Sequence, residues 1–366
     1  MFSKYMFFHH NFRKKGRITG GEEIMNTHTW NEITNQDEAL QKTLSVMRNF
    51  VLDNSKSTDV HVFTGCGTSF YLAHSAAKYF QKVTGKTAAA VPASEIFMDE
   101  NSVFSKDNTY QLIAISRSGT TSEVVKALDY VKEAGNIETL ALTCNEASET
   151  AKLADKSIVL DFISEKSVVM TQSFTNMLYS LQLYAAIVAE SEDVKFALGN
   201  VPELSSHMLE DKDKLKSLAG DSKYTRYVFL GASVFNGIAK EATLKLKEMT
   251  QTECESYSNL EFRHGPISIV DTSTVAVLLS SDASEVFDGS LVTDIQEKGG
   301  KVVVFAKEGS SVTGDITVSI PTKLGSDEVM AAYMPHLQLL AYFKAVSLGL
   351  NPDEPRNLTQ VVKLNF

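Results

Sequence analysis

The chain has 366 residues, of which 43% are apolar, and its formal net charge is −10 with an isoelectric point near 5.4. This length suggests about two domains, and the acidic balance argues against nucleic acid or an anionic membrane as the main partner. Three widely spaced cysteines without a C-x-x-C pair indicate neither disulfides nor zinc, and no apolar run reaches the roughly 18 residues of a membrane span, so we expect a cytoplasmic protein.

The first residues are predicted to be a leader rather than a targeting signal. Residues 1–21 lack the uninterrupted apolar core of a signal peptide, because charged and polar side chains break the run. Gly21-Glu22-Glu23-Ile24 is what a purine-rich ribosome-binding site yields when it is translated. We therefore expect the true start at Met25 rather than Met1.

A helix is predicted between residues 30 and 52. The apolar side chains Leu40, Leu44, Met47 and Val51 recur at helical spacing, and Asn35-Gln36-Asp37 supplies a start signal before them. This helix is expected to pack its apolar face against the rest of the protein.

Residues 60–79 are predicted to form a strand, a glycine-rich loop and a helix in succession. The Gly65-Cys66-Gly67 sequence invites a dinucleotide-binding interpretation, but Phe70 stands where the third glycine should fall, and no acidic residue follows at the expected distance. Cys66 could serve as a nucleophile, yet no histidine stands at a recognisable spacing from it. A small buried thiol is the commoner role.

The stretch from Ala114 to Glu123 is the one around which the chain is organised. It follows an apolar run that predicts a buried parallel strand, and it precedes a segment with helical periodicity. The hydroxyl groups of Ser116, Ser118 and Thr121, together with Gly119 and the free amides of a helix start, can hold a phosphate dianion. The alternative is a hydroxyl-rich helix cap, since serine and threonine are ordinary capping residues.

The chain then repeats itself at an offset of 166 residues. Tyr227–Ser233 matches His61–Gly67 as strand, glycine turn and helix start, and Leu260–Arg263 matches Ser94–Phe97. Strands that alternate with helices at this spacing predict doubly wound parallel sheets, which bind ligands at the carboxyl ends of their strands. We therefore predict an α/β fold with two tandem doubly wound parallel sheets, each a flavodoxin-like three-layer sandwich.

The predicted domain boundaries follow from this duplication. The chain divides into a leader with a packing helix (1–45), a phosphate-binding domain (46–205), a catalytic domain (206–350) and a C-terminal tail over the active site (351–366). Residues 155–199 and 203–219 are expected to be helix-rich connections.

The second copy has lost the phosphate loop and gained charged groups. Leu278–Ala283 lacks the glycine and contains Asp282, which would repel a phosphate. Lys245 and Glu248 are three residues apart on a predicted helix and share one face, either as a solvated ion pair or as reactive groups. His264 precedes Gly-Pro and therefore lies in a rigid turn.

Five motifs occur here in the order found in the isomerase half of glucosamine-6-phosphate synthases. They are Gly65-Cys66-Gly67-Thr68-Ser69, Ser116-Arg117-Ser118-Gly119-Thr120-Thr121, Leu244-Lys245-Leu246-Lys247-Glu248, Leu260-Glu261-Phe262-Arg263-His264-Gly265-Pro266 and Asp353-Glu354-Pro355-Arg356-Asn357-Leu358. By these motifs the chain resembles the sugar isomerase (SIS) family with two SIS domains, from about residue 45 to the C-terminus.

The resemblance implies a homodimer with shared active sites and a sugar 6-phosphate as the substrate. It assigns the phosphate to Ser69, Ser116, Ser118 and Thr121, places Thr68 near the sugar hydroxyls, and places Val168 in the pocket wall. It implies that Glu248 moves a proton between C1 and C2, and that His264 of the partner subunit opens the sugar ring. To these we add Cys66, Gly67 and Arg117 as substrate-binding residues and Lys245 as a catalytic residue.

Three departures from the synthase pattern limit what the resemblance implies. The chain contains no glutaminase domain with its cysteine nucleophile, so we expect that it takes no nitrogen from glutamine. The synthase lysine that forms a Schiff base with the ketose corresponds to Gln360, an amide that cannot do so, and Lys363 is out of register. The glutamine of the synthase phosphate loop is Arg117 here, which either adds charge to the phosphate site or points away.

The first functional hypothesis is a deaminase and isomerase of a hexosamine 6-phosphate, most simply glucosamine 6-phosphate to fructose 6-phosphate plus ammonia. This is general acid/base chemistry that needs no metal or organic cofactor. A ketose/aldose phosphate isomerase and a fructosamine-6-phosphate deglycase are the alternatives. A non-catalytic phosphosugar sensor is the hypothesis from another class, disfavoured because Glu248 and His264 are present and no DNA-binding element is evident.

Overall fold

The computed structural model describes residues 27–52 and 58–364 of the chain. The described strands form two five-stranded sheets, and every strand pair in them is parallel. The predicted α/β fold with two parallel sheets is therefore confirmed. The predicted start at Met25 lies outside the described residues.

The two sheets repeat one strand order. The first sheet contains β1 (Val60–Gly65), β2 (Thr87–Pro92), β3 (Tyr110–Ile115), β4 (Ile137–Thr143) and β5 (Lys156–Val159), in the order β2-β1-β3-β4-β5. The second contains β6 (Arg226–Gly231), β7 (Glu253–Tyr257), β8 (Thr274–Leu279), β9 (Lys301–Lys307) and β10 (Ile316–Ile320), in the order β7-β6-β8-β9-β10. This is the flavodoxin-like order, in which ligands bind beyond the strand ends where the order reverses.

Helices cover both faces of each sheet. Those before and within the first sheet are α1 (His28–Thr34), α2 (Asp37–Arg48), α3 (Thr68–Thr84), α4 (Ala93–Met98), α5 (Glu100–Val103), α6 (Ser122–Val131) and α7 (Glu149–Leu153). Those that follow are α8 (Gln172–Val188), α9 (Glu192–Gly199), α10 (Lys212–Gly220), α11 (Phe235–Thr250), α12 (Glu285–Glu297) and α13 (Met334–Ser347). Short 3₁₀ helices lie at Val201–His207, Leu260–Arg263, Pro266–Ile269 and Met330–Tyr333. No helix within the described residues is long and apolar enough to cross a lipid bilayer.

The central strands are apolar along both faces because helices cover both. Every residue of β8 is buried, as are Leu112 and Ile113 in β3. One hydrophobic cluster extends from Phe63 and Phe80 of the first sheet layer to Phe229 and Tyr333 of the second. The two sheets are thus joined by a continuous core.

Helices α3 and α11 pack against each other and position the site. A Cβ atom on Gly237 of α11 would lie 2.3 Å from the carbonyl oxygen of Tyr71, so only glycine permits this close approach. Ser75 of α3 donates through Oγ to the carbonyl oxygen of Val234 at 2.6 Å. This contact brings the first helix of the second copy alongside the loop that precedes α3.

One local prediction was wrong, and one strand was missed. Val51 was expected on the apolar face of the first long helix, but α2 ends at Arg48 and the side chain of Val51 is 80% exposed. The segment 155–199, which was predicted to be a helix-rich connection, contains α8 and α9 and also begins with β5, the edge strand of the first sheet. This strand is only four residues long, too short for its period to stand out in the sequence.

Candidate active site

Two loops at the carboxyl ends of β1 and β3 form one wall of a cavity. In the first loop, Gly67 has a φ of 53° and precedes Thr68 and Ser69, which begin α3 and are 7% and 6% exposed. In the second, Ser116 accepts a hydrogen bond from the amide of Gly119 at 3.1 Å, and its Oγ lies 3.0 Å from Thr121 Oγ1. Both loops lie where the strand order reverses.

In the second loop, only glycine fits at position 119. Its φ is +64°, and a Cβ atom there would lie 2.2 Å from Ser148 Oγ. A left-handed backbone and this close contact together exclude any side chain. The loop is therefore fixed with its hydroxyl groups facing the start of α6, where the first amides of a helix have no intrahelical partner.

The cavity has a volume of about 260 Å³. Of the predicted site residues, the structure brings these together around it: Cys66, Gly67, Thr68, Ser69, Arg117, Ser118, Thr121, Val168, Lys245 and Glu248. Ser116 lies behind this lining, because it is 2% exposed and its hydroxyl is used within the loop. His264 is not among the residues that line the cavity of its own chain.

Helix α11 places three charged side chains beside Thr68. Lys245 Nζ lies 2.5 Å from Glu248 Oε2 and 3.3 Å from Glu241 Oε1, and it donates to Thr68 Oγ1 at 3.1 Å. The side chains of Lys245 and Glu241 are 1% and 0% exposed, while that of Glu248 is 19% exposed. The ion pair of Lys245 and Glu248 is therefore not a solvated surface pair. Of the three charged side chains, that of Glu248 is the most exposed and can contact a ligand.

The ionisation of these groups follows from burial. Burial raises the pKa of Glu241 to about 8, although the neighbouring ammonium group of Lys245 acts in the opposite direction. Burial alone would lower the pKa of Lys245, but the carboxylates of Glu241 and Glu248 outweigh it, so the pKa is raised. Lys245 consequently stays positively charged beside Glu248.

Cys66 lines the cavity as a protonated thiol. Burial raises its pKa to about 12, with a smaller contribution from the charge of Glu123. Because the thiolate is the nucleophilic form, this environment gives no support to a cysteine nucleophile. The predicted role of Cys66 as part of the binding surface stays a prediction.

Arg117 lies at the cavity but its guanidinium is engaged elsewhere. Nη1 pairs with Glu165 Oε2 at 2.9 Å, and Nη2 donates to the carbonyl oxygens of Val168 and Gln360 at 3.3 and 3.2 Å. Gln360 in turn donates from Nε2 to the carbonyl oxygens of Glu165 and Ser167, both at 3.1 Å. The guanidinium thus contacts the tail, and the predicted role of Arg117 in substrate binding stays a prediction.

His264 lies on the surface of the described chain. It follows the 3₁₀ helix Leu260–Arg263, is exposed, and is followed by Gly265 with a φ of 117°. The role of His264 in a partner's site stays a prediction.

Several residues of the site were missed by the sequence reasoning. Glu165, Glu241 and Glu123 were not singled out, although Glu123 lines the cavity with a buried Oε2 that has no partner among the described residues. Leu244, Met170 and residues 358–362 complete the wall. The spacing of positions 241, 245 and 248 on one helix face could have indicated Glu241.

Within residues 27–52 and 58–364, no cluster of three or more His, Cys, Asp or Glu side chains could hold a metal ion.

Known proteins share this architecture. The SIS domain family matches the chain twice, over residues 59–187 and 222–343. The isomerizing glutamine–fructose-6-phosphate aminotransferase of Vibrio parahaemolyticus is 30% identical over 312 residues, which cover 81% of this chain and 50% of that protein. The chain thus spans about half the length of the curated relatives it matches.

Solved structures resemble the chain along nearly its whole length. The glucosamine-6-phosphate deaminase of Thermotoga maritima has 32% identity and a TM-score of 0.76, covering 92% of this chain and 100% of that one. The tagatose-6-phosphate ketose/aldose isomerase of Escherichia coli has 24% identity and a TM-score of 0.80, covering 93% and 97%. At that identity the second likeness shows the fold alone.

Proposed function

Because the chain belongs to the SIS domain family, we propose that it acts on a hexosamine 6-phosphate, most simply converting glucosamine 6-phosphate to fructose 6-phosphate and ammonia. The observation that carries this proposal is the position of Glu248, which faces the hydroxyl-rich loops of the first copy across one cavity. The deaminase of Thermotoga maritima, 32% identical, supports the amino sugar as the substrate class.

The phosphate is held by local groups, since the chain as a whole carries a charge of −10. The hydroxyls of Ser69, Ser118 and Thr121 line the cavity beside the start of α6, where helix amides and the helix dipole favour an anion. Hydrogen bonds to a charged acceptor contribute about 1.5–3 kcal/mol each. The sugar then extends from this loop toward α11.

Glu248 is the proton carrier in this proposal. In the open-chain aldose, its carboxylate takes the proton from C2, and the C2–H electron pair forms the C1–C2 double bond. The π pair of the C1 carbonyl moves onto O1, which takes a proton from water, and the product is an enolamine with a hydroxyl group at C1. Return of the proton to C1 leaves an iminium group at C2, which water hydrolyses to the ketone with release of ammonia. The ammonium group of Lys245 lies 2.5 Å from Glu248 Oε2 and holds this carboxylate at the cavity.

At position 360 the tail carries no amine that could form a Schiff base with the ketose. Gln360 stands where a Schiff-base lysine stands in the synthases, and its amide donates to two carbonyl oxygens instead. An amide cannot form an imine with a ketose. We propose further that ring opening is assisted by His264 of a partner subunit, so that the working unit is a homodimer.

The proposal is tested by a panel of hexose and hexosamine 6-phosphates, each assayed for both ammonia and ketose. We expect equal amounts of ammonia and fructose 6-phosphate from glucosamine 6-phosphate. Ketose formation from a neutral aldose phosphate, with no ammonia from any hexosamine phosphate, would show instead a ketose/aldose isomerase. Binding of these sugars without turnover would indicate a sensor.

A further inference from the structure

The C-terminal segment 358–362 lies along the cavity, and one arginine ties it to the rest of the site. Arg117 contacts Glu165 Oε2 at 2.9 Å and the carbonyl oxygens of Val168 and Gln360 at 3.3 and 3.2 Å. We propose that Arg117 is a positioning residue that fastens segment 358–362 over the cavity, and that it is not a ligand of the substrate phosphate. The kinetic consequence of this inference rests on the proposed function.

The partner of Arg117 is itself fixed. The side chain of Glu165 is 1% exposed. Its Oε1 accepts hydrogen bonds from the amide and hydroxyl of Thr171 at 2.8 and 3.0 Å and from the amide of Ser173 at 2.9 Å. A carboxylate with this many donors at the start of α8 cannot rotate away without losing them. Arg117 is therefore anchored to a rigid point of the first domain.

Polar contacts hold the tail from two further positions. Gln360 donates to the carbonyl oxygens of Glu165 and Ser167, and the amide of Leu364 donates to Ser122 Oγ at 2.9 Å. The apolar side chains of the tail contribute less, since Leu358 is 39% and Val362 is 55% exposed. Because little apolar surface is buried, the hydrogen bonds around Arg117 decide whether the segment stays closed.

The alternative role for Arg117 is to bind phosphate, since it lies between Ser116 and Ser118. Two observations disfavour it. Both terminal nitrogens already donate to Glu165, Val168 and Gln360, and the carboxylate of Glu165 offsets the positive charge that a phosphate would seek. A planar guanidinium with donors in a fixed fork suits this three-way contact, whereas a lysine ammonium does not.

A closed tail would keep water from the enolamine. With the segment fastened, the proton taken from C2 returns to C1 in a fraction of the turnovers before it exchanges with solvent. With the segment loose, exchange competes better and kcat falls, while phosphate contacts are unchanged. The share of C2 hydrogen recovered at C1 therefore reports on closure rather than on folding.

The test compares Arg117→Gln, Arg117→Lys and Gln360→Ala with the wild type. Trypsin cleaves after Arg356 and Lys363, and mass spectrometry follows release of the C-terminal peptides 357–366 and 364–366. We expect all three variants to lose these peptides about tenfold faster, since each loses hydrogen bonds that close the segment. Arg226→Gln is the matched control, because Arg226 Nη1 likewise donates to a main-chain carbonyl, that of Ile269 at 2.7 Å, without touching the tail.

Titration calorimetry with inorganic phosphate separates the two roles of Arg117. We expect the phosphate affinity of all four variants to stay within about twofold of wild type. In turnover with substrate labelled at C2, the three tail variants, but not Arg226→Gln, should return a smaller share of the C2 hydrogen to C1. A tenfold loss of phosphate affinity in Arg117→Gln but not in Gln360→Ala, or unchanged tail cleavage, would overturn the inference. If the wild type has no isomerase activity, the proposed function fails, but the cleavage and phosphate measurements still decide the role of Arg117.

Discussion

The loops after β3 and β8 hold equivalent places in the two sheets, yet they use their hydroxyl groups differently. After β3, Ser118 and Thr121 line the cavity. After β8, Ser280 and Ser284 both donate to the buried carboxylate of Asp288, at 2.7 and 2.6 Å. These two hydroxyl protons are therefore not available to a phosphate.

The helices α3 and α11 differ in the complementary way. Position 248 of α11 carries a glutamate at the cavity, whereas position 82 of α3, 166 residues earlier, carries a lysine paired with Asp327. The first copy thus has the loop that we propose binds the phosphate, and the second has the helix whose carboxylate lies at the cavity. Neither copy alone contains all the residues that line the cavity, and the close packing of α3 on α11 brings the two sets together.

The largest expected effect comes from the one carboxylate that distinguishes the two helices. Glu248→Gln keeps the shape of the side chain but removes the base, so exchange of the C2 proton with solvent deuterium should fall by about two or more orders of magnitude. Lys82→Gln, at the equivalent place in α3, should leave exchange within about twofold of wild type. Exchange that persists in Glu248→Gln would mean that the base is another residue.

The next effect comes from the two loops. Ser118→Ala removes one hydrogen bond to a charged acceptor, so KM for the phosphorylated substrate should rise by roughly 10- to 150-fold. Asp282 is the third residue after β8, as Ser118 is the third after β3. The Asp282→Ala variant should leave KM unchanged. Steady-state kinetics on both variants checks the difference, and a higher KM in both would refute the division of labour between the loops.

A third prediction extends the division of labour to two chains. Glu248→Gln and His264→Ala should each be inactive, but mixed dimers contain one pocket with both changes and one with neither. Random reassociation should therefore restore up to about a quarter of wild-type activity, because half the dimers are mixed and half of their pockets are intact. Mixed dimers that are seen by mass spectrometry but stay inactive would show that His264 serves its own chain.

The smallest effect concerns the cores of the two copies. Burial lowers the pKa of His61 to about 4, with the charge of Lys86 as a smaller cause, and the centroid of its ring lies 4.4 Å from that of Phe80. The equivalent residue in the second copy is Tyr227, which does not titrate in this range. As the pH falls from about 6.5 to 4, the unfolded chain binds a proton that the folded chain does not. This histidine therefore lowers the free energy of unfolding by about 1.4 kcal/mol per pH unit in that window.

Urea unfolding at pH 7 and pH 5 measures this contribution. His61→Phe should lose about 2 kcal/mol less stability between the two pH values than the wild type does, since the titrating group is gone. An equal loss in both proteins would show that His61 is protonated in the folded state at pH 5.

The sequence predicted the duplicated parts of the fold well because their signals are local. The strand, glycine turn and helix start at His61–Gly67 recur at Tyr227–Ser233, and both occur in the structure as β1 with α3 and β6 with α11. The start of α2 at Asp37 was likewise marked by a local signal. The edge strand β5 was missed because four residues do not reveal a period.

The tail contacts and the burial of α11 could not be predicted. Arg117 and Gln360 are 243 positions apart, and nothing in either local sequence indicates the other. Lys245 and Glu248 look like a solvated pair in sequence, since charged residues on one helix face usually face water. Only the packing of α11 against α3 shows that Lys245 and Glu241 are buried.

The central claim is that a hexosamine 6-phosphate lies between the loop after β3 and helix α11. A crystal structure of the Glu248→Gln variant with glucosamine 6-phosphate tests it most directly. The account predicts the phosphate within about 3 Å of the hydroxyls of Ser118 and Thr121, and C2 of the sugar about 3–3.5 Å from the side chain at position 248. A phosphate bound at the loop after β8, or a sugar directed away from α11, would contradict it.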